Sequence, residues 1–364
     1  MLGALAADRT RLAVLTAQIF DLEQSLSALR LEQAQVQSRL DSYKYPVLKL
    51  PTEIVTEIFI HVPPPYPGGA WLAGTPSPTS LAQVCREWRQ IALSIPALWI
   101  AINLSNNRTP VEQRAYLCDL WLQWSRYRPL SIEYDALQDR AVGLSTMKVM
   151  ALVASILARV EHLKLGVSLD ECSAIEGSSM PLLHHLDLNA TTHSGFTTPV
   201  SFGERELPLL RSVVLNRIAT MHARLPWARL TSLVVSRVYL HECVPILSQT
   251  SSLIHCELRL HYSFHHGHND VITLSCLESL VLTCLDGKYC IACPKLLESF
   301  ITPRLRRLRL PERFLGHEPP RSLTDFISKS GEMLQEVCIT NQRAVPRNSY
   351  RDAMESIPRV SFSD

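Results

Sequence analysis

A short pattern of the form L-x-x-L-x-L recurs through the second half of the chain and constrains its fold more than any other feature. It stands as VEHLKL (160–165), LHHLDL (183–188), LRSVVL (210–215), LTSLVV (230–235), LIHCEL (253–258), LESLVL (277–282), LRRLRL (305–310) and LQEVCI (334–339), with a poorer copy, LESFIT, at 297–302. Alternating apolar positions over such a stretch predict a half-buried strand. One strand buries too few side chains for a core of its own, so neighbouring units must stack. Leaving the poorer copy aside, successive starts lie 20 to 29 residues apart, a period that belongs to repeat arrays. Pro181, Pro208, Pro294 and Pro303 precede several copies.

This pattern resembles the leucine-rich repeat over about residues 157–340. The asparagine that family carries after its strand is irregular here, and another stacked α/β arrangement stays open. The resemblance implies that the residue between the last two leucines of each copy points outward on a concave sheet. Those positions are Lys164, Asp187, Val214, Val234, Glu257, Val281, Ile301 and Arg309. Apolar stretches bordered by charge suit a protein-binding face.

At the amino end Leu12, Leu15, Ile19, Leu22, Leu26, Leu29, Val36 and Leu40 step alternately by three and four, with Gln33 at a seam position between Leu29 and Val36. That spacing predicts a coiled-coil helix over residues 1–42, with self-association or pairing with a partner as one outcome and packing on its own chain as the other. Pro46 ends it. LPTEIVTEIF then opens a helix: Pro51 suits a first turn, Glu53 complements the positive helix end, and Ile54, Val55, Ile58, Phe59 and Val62 form an apolar face. The Pro- and Gly-rich stretch 63–78 is expected as a surface loop. Ser80 and Gln83 have capping-box spacing for LAQVCREWRQIALSIPALW (81–99), whose Leu81, Val84, Cys85, Trp88, Ile91 and Ala92 are expected on one face.

In order, Leu50-Pro51, Glu53-Ile54, Ile58-Phe59, Val84-Cys85, Trp88-Arg89 and the Pro96-Leu98-Trp99 ending resemble the F-box, in its F-box-like variant, over residues 46 to about 100. The insertion at 63–79 departs from the compact form of that family. The resemblance implies docking on a Skp-family adaptor of a cullin–RING ubiquitin ligase. Leu50, Pro51, Ile54, Ile58, Trp88, Leu98 and Trp99 are the candidate contacts; Trp88 and Trp99 could equally fill the domain's own core.

Hydrophobic residues at 46% and charged residues at 19% allow a sizeable core. A net charge of +2 offers no general case for nucleic acid or an anionic membrane, and no apolar run reaches the ~20 residues that span a bilayer. Ten cysteines without an export signal are expected as reduced thiols of an intracellular, cytoplasmic or nuclear protein. His261, His265, His266, His268 and Asp270, and the cysteines Cys284, Cys290 and Cys293, lack converging ligand spacing, so no metal or cofactor is expected. No phosphate loop, nucleophile elbow or zinc-helix motif is present, and an enzyme is not expected.

The expected architecture is α+β: a coiled-coil helix (1–42), an all-α F-box (46–100), a helical linker or cap (101–156), an α/β leucine-rich-repeat-like solenoid (157–345) and a tail (346–364). The expected function is target presentation to the ligase. A non-catalytic coiled-coil and repeat scaffold is the alternative.

Overall fold

The structure, a computed structural model, describes residues 2–42, 50–105, 109–137, 144–192, 199–203, 205–261, 271–285, 296–330, 333–341, 345–346, 348–350, 354 and 357–363. Its contacts divide the chain into two compact units, Met1–Val55 and Thr56–Asp364.

In the first unit, α1 runs unbroken over Leu2–Ser42. Its heptad residues are all exposed, with Leu12, Leu22 and Leu29 at 67%, 68% and 63%. The helix forms as its spacing predicts, and its seam is left uncovered. Helix α2, Thr52–Ile60, begins in this unit. The Pro51 carbonyl accepts from the amides of Ile54 and Val55 at 3.0 and 3.2 Å, so proline closes the first turn without needing an amide proton of its own. Val55 and Phe59, one helical turn apart, are buried.

The second unit carries strands β1 (Ala70–Trp71), β2 (Ala101–Asn103), β3 (Leu130–Asp135), β4 (Val160–Ser168), β5 (His185–Thr191), β6 (Val200–Ser201), β7 (Ser212–Asn216) and β8 (Ala223–Arg224). Then come β9 (Ser232–Val238), β10 (His255–Leu260), β11 (Ile272–Thr273), β12 (Ser279–Cys284), β13 (Phe300–Ile301), β14 (Arg307–Pro311), β15 (Glu336–Thr340) and β16 (Arg359–Ser363). Its helices are α3 (Pro78–Val84), α4 (Arg86–Ser94), α5 (Val111–Trp124), α6 (Leu144–Ile156), α7 (Leu169–Cys172), α8 (Arg217–His222), α9 (Leu240–Leu247) and α10 (Pro319–Ser330).

Among the described residues one 12-stranded sheet runs in the order β1-β2-β3-β4-β5-β7-β9-β10-β12-β14-β15-β16. Every pairing in it is parallel. The eight good copies of the motif supply β4, β5, β7, β9, β10, β12, β14 and β15. Register brings Leu163, Leu186, Val213, Leu233, Cys256, Leu280, Leu308 and Val337 into a single row, all buried. Leu183, Leu210, Leu230, Leu253, Leu277 and Leu305 are buried just ahead of their strands. Each such leucine removed from water contributes roughly 1.5–3 kcal/mol, so stacking supplies the core that a single unit lacks.

Four expectations change. The stretch 63–78 is no mere loop: its Ala70–Trp71 forms edge strand β1, paired with Ile102 and Asn103. Gly69 lies tight against that pairing: a Cβ there would come within 3.1 Å of the Asn103 backbone nitrogen. The segment 101–156, expected as a helical linker or cap with one short strand at PLSIEY (129–134), contributes β2 as well, and both β2 and β3 join the repeat strands in one sheet beside α5 and α6. The expected tail, 346–364, contributes β16, and Tyr350 is buried with its hydroxyl donating to Glu312 at 2.7 Å. The poorer copy at 297–302 yields β13, which pairs with β11 in a separate two-stranded sheet.

Candidate functional site

The F-box-like stretch and the sheet present two different surfaces. In the first unit Leu50, Pro51 and Ile54 are exposed. In the second, Ile58 (50%), Ile60 and Val84 are exposed as well. Ile54 and Ile58 are separated by one turn of α2 and so share a face of that helix.

The expected stripe across 81–92 is interrupted. Ser77, not Ser80, caps α3, its hydroxyl accepting from the Thr79 amide at 3.2 Å with Pro78 at the first position. Cys85 then breaks the helix in extended conformation and itself caps α4, its Sγ accepting from the Trp88 amide at 3.5 Å. The break ends the shared face, which is why Val84 is exposed while Ile91 and Ala92 are buried.

Trp88 is half-buried, its ring edge-on to Phe59 at 4.9 Å. Leu98 and Trp99 are buried, and this withdraws them from the set of candidate contacts. Trp99 donates its indole N–H to the Ala92 carbonyl at 3.0 Å and packs edge-to-face on Trp121 and Trp124 at 5.2 and 4.6 Å. A tryptophan with its hydrogen bond satisfied and its ring enclosed on two sides is a core residue.

On the sheet, register places Lys164, Asp187, Val214, Val234, Glu257, Val281 and Arg309 directly beside one another across seven strands. All are half-buried or exposed, opposite the buried leucine row. Ile301 is the exception: it lies on β13, outside this sheet. Glu133 extends the row on one side and Cys338 on the other.

Charge is sorted along this open face. Lys164 Nζ sits 2.7 Å from Glu133 Oε1, and this hydrogen bond above all raises the lysine pKa. Asp187 titrates above the usual carboxylate range, first through burial; Lys164 opposes the shift while Glu133 and Asp135 add to it. Gly166 leaves the space that the Asp135 carboxylate fills, since a Cβ there would collide with it. Glu257 pairs with Arg259 at 2.7 Å. Arg307 and Arg309 are exposed on β14. One row away, His162 and His185 have pKa values lowered chiefly by burial, with His185 Nδ1 3.0 Å from Ser212 Oγ.

A cavity of about 360 Å³ opens on this face at the ends of β3 to β10, lined by Asp135, Asp187, Val214, Asn216, Ser236 and Arg259 among others. Sequence reasoning missed Glu133 and Asp135. They alternate with buried Ile132 and Tyr134 in β3, and only the register with β4 reveals that they join the repeat row.

The described cysteines are all free thiols. Burial pushes Cys118, Cys172 and Cys243 up to about 12, which makes them inert. Among the described residues no group of three or more His, Cys, Asp or Glu could hold a metal ion. Of the candidate ligands, His265, His266, His268, Asp270, Cys290 and Cys293 lie outside the described residues. No described helix is long and apolar enough to cross a membrane.

Compared with known families, residues 47–105 match the F-box-like family model. No curated protein matches the chain. The segment bearing Leu50, Ile54, Ile58 and Trp88 is thus an F-box-like domain.

Proposed function

We propose that this chain, carrying an F-box-like domain, is a substrate-receptor subunit of an SCF-type cullin–RING ubiquitin ligase. F-box domains dock on Skp-family adaptors. Here Leu50, Pro51, Ile54 and Ile58 serve as the apolar contacts, with Trp88 contributing from its half-buried position. The open sheet face holds the target protein. The match over residues 47–105 carries this proposal, and the exposure of those aliphatic side chains supports it. Such a subunit performs no bond chemistry itself. It supplies proximity, turning an encounter between a target lysine and a ubiquitin-charged enzyme into a tethered one. Parallel strands in sequential order, at a period of 20 to 29 residues, favour a leucine-rich-repeat solenoid as the presenting frame. The cytoplasm and nucleus are the compartments this role implies.

Leu50→Ala combined with Pro51→Ala abolishes co-purification with the adaptor while the melting of the sheet region stays unchanged. Ile58→Asp does the same by placing a charge on the exposed α2 face. Full adaptor binding by both variants overturns the proposal.

The exposed seam of α1 supports a second role, self-association as a coiled-coil scaffold. A ubiquitylation assay on the reconstituted complex separates a receptor that uses α1 to dimerise from a scaffold with no part in ubiquitin transfer.

A further inference from the structure

We infer that the open face of the sheet binds an extended target segment of split charge, with a basic residue at one end, an acidic residue at the other and small apolar residues between. This rests on the proposal that the face takes the target, and it specifies the target's chemistry.

The register row carries the inference. At one end stand Glu133 and Asp187, with Asp135 beside them. Lys164 is committed to Glu133. Among the described residues no hydrogen bond reaches the Asp187 carboxylate, which borders the 360 Å³ cavity. A half-buried carboxylate beside Glu133 and Asp135, whose one cationic neighbour, Lys164, gives its hydrogen bond to Glu133 instead, is completed by an incoming cation.

Four strand steps beyond Val214 lies Arg309, exposed beside Arg307 on β14. Between the two ends come Val214, Val234 and Val281, interrupted only by Glu257, whose charge Arg259 neutralises at 2.7 Å. Small residues flank the valines: Ser212 and Ser232 on one side, Asn216 and Ser236 on the other. They leave a shallow apolar track with hydrogen-bonding margins and opposite charges at its ends.

The separation sets the spacing in the target. From Asp187 to Arg309 there are five strand steps, which at ~4.8 Å each span about 24 Å. An extended chain rises ~3.4 Å per residue, so the two charged positions of the target lie about seven residues apart. A helical segment of that length would cover less than half the distance.

Four fluorescein-labelled peptide designs, one of them made as two peptides of opposite chain direction, test this on the full chain by anisotropy. Each has a valine–serine stretch between two end positions about seven residues apart. One carries arginine and glutamate at the two ends, in both chain directions; the others carry arginine at both, glutamate at both, or serine at both. The split-charge peptide is expected to bind about tenfold more tightly than the other three. Asp187→Lys transfers the preference to the glutamate-ended peptide and Arg309→Glu to the arginine-ended one. Asp187→Asn and Arg309→Gln weaken split-charge binding without reversing preference. Equal binding of all four peptides, or none to the wild-type chain, overturns the inference. Adaptor co-purification is read on the same variants: if it persists while peptide discrimination is absent, only the inference fails. If the adaptor is lost from the wild type while discrimination stands, only the receptor role fails.

Discussion

Leu26 and Leu258 both occupy strictly periodic apolar patterns, yet the first is 47% exposed and the second is wholly enclosed. Leu26 belongs to the heptad of α1, which satisfies its backbone within the helix and leaves its seam for another surface. Leu258 belongs to a strand whose backbone groups are satisfied only by neighbouring strands, so burial and hydrogen bonding arrive together. A helical pattern declares which face needs cover without supplying it. A stacked-strand pattern recruits its cover from the same chain.

The contrast breaks most readily at the core. Leu258→Ala is expected to cost about 2–5 kcal/mol, read as a drop in the denaturation midpoint, because the enclosed site cannot collapse around the lost methyls. Leu26→Ala should leave that midpoint where it is; an equal loss would mean that the seam is packed in the free chain.

The next largest effect concerns association. Leu22→Glu with Leu26→Glu should convert any self-associated chain to monomer in light scattering, with the sheet's melting unaltered. Unchanged mass would show that α1 finds its partner elsewhere.

A smaller effect is pH dependence on the open face. His162 and His185 have depressed pKa values in the folded chain, chiefly from burial, against an ordinary 6.5. The unfolded chain therefore takes up protons that the folded one refuses, and stability falls as pH drops through 6.5 towards the folded values. His162→Gln with His185→Gln should flatten that part of the stability curve. A slope as steep as the wild type's would place the sensitivity in other groups.

Smallest is Asp187→Asn. The carboxyl's pKa is raised by burial and by Glu133 and Asp135, so its ionised form weakens the fold at neutral pH. The variant should melt slightly higher than wild type at neutral pH. The gain should vanish at acid pH below the ordinary 3.8, where the carboxyl is protonated in both states. A lower melting point at neutral pH would mean that the carboxylate already has a stabilising partner.

Much of the F-box-like domain was legible in linear order, because Leu50-Pro51, Ile58-Phe59 and Trp88-Arg89 lie on short local helices. The assignment of its tryptophans was not. Trp99 is enclosed by Trp121 and Trp124, more than twenty residues downstream, and nothing local announces that contact. Cys85 as a helix cap escaped notice for a related reason: an apolar residue at helical spacing fits an uninterrupted stripe equally well. Ile301 was misplaced because its copy, LESFIT, has the motif's spacing but pairs with Ile272–Thr273 instead of the main sheet.

By itself the sequence determined the periodicities: a heptad helix, an F-box-like helical stretch, and strands recurring at 20 to 29 residues. These are properties of adjacent residues, fixed by helix and strand geometry. Tertiary structure alone decided that β1, β2, β3 and β16 extend the repeat sheet, and that Glu133, Asp187 and Arg309 share one row of it. Such relations depend on register between distant segments. A shift of one residue would turn the leucines outward and the charges inward, and only the burial of the whole stacked core selects against it.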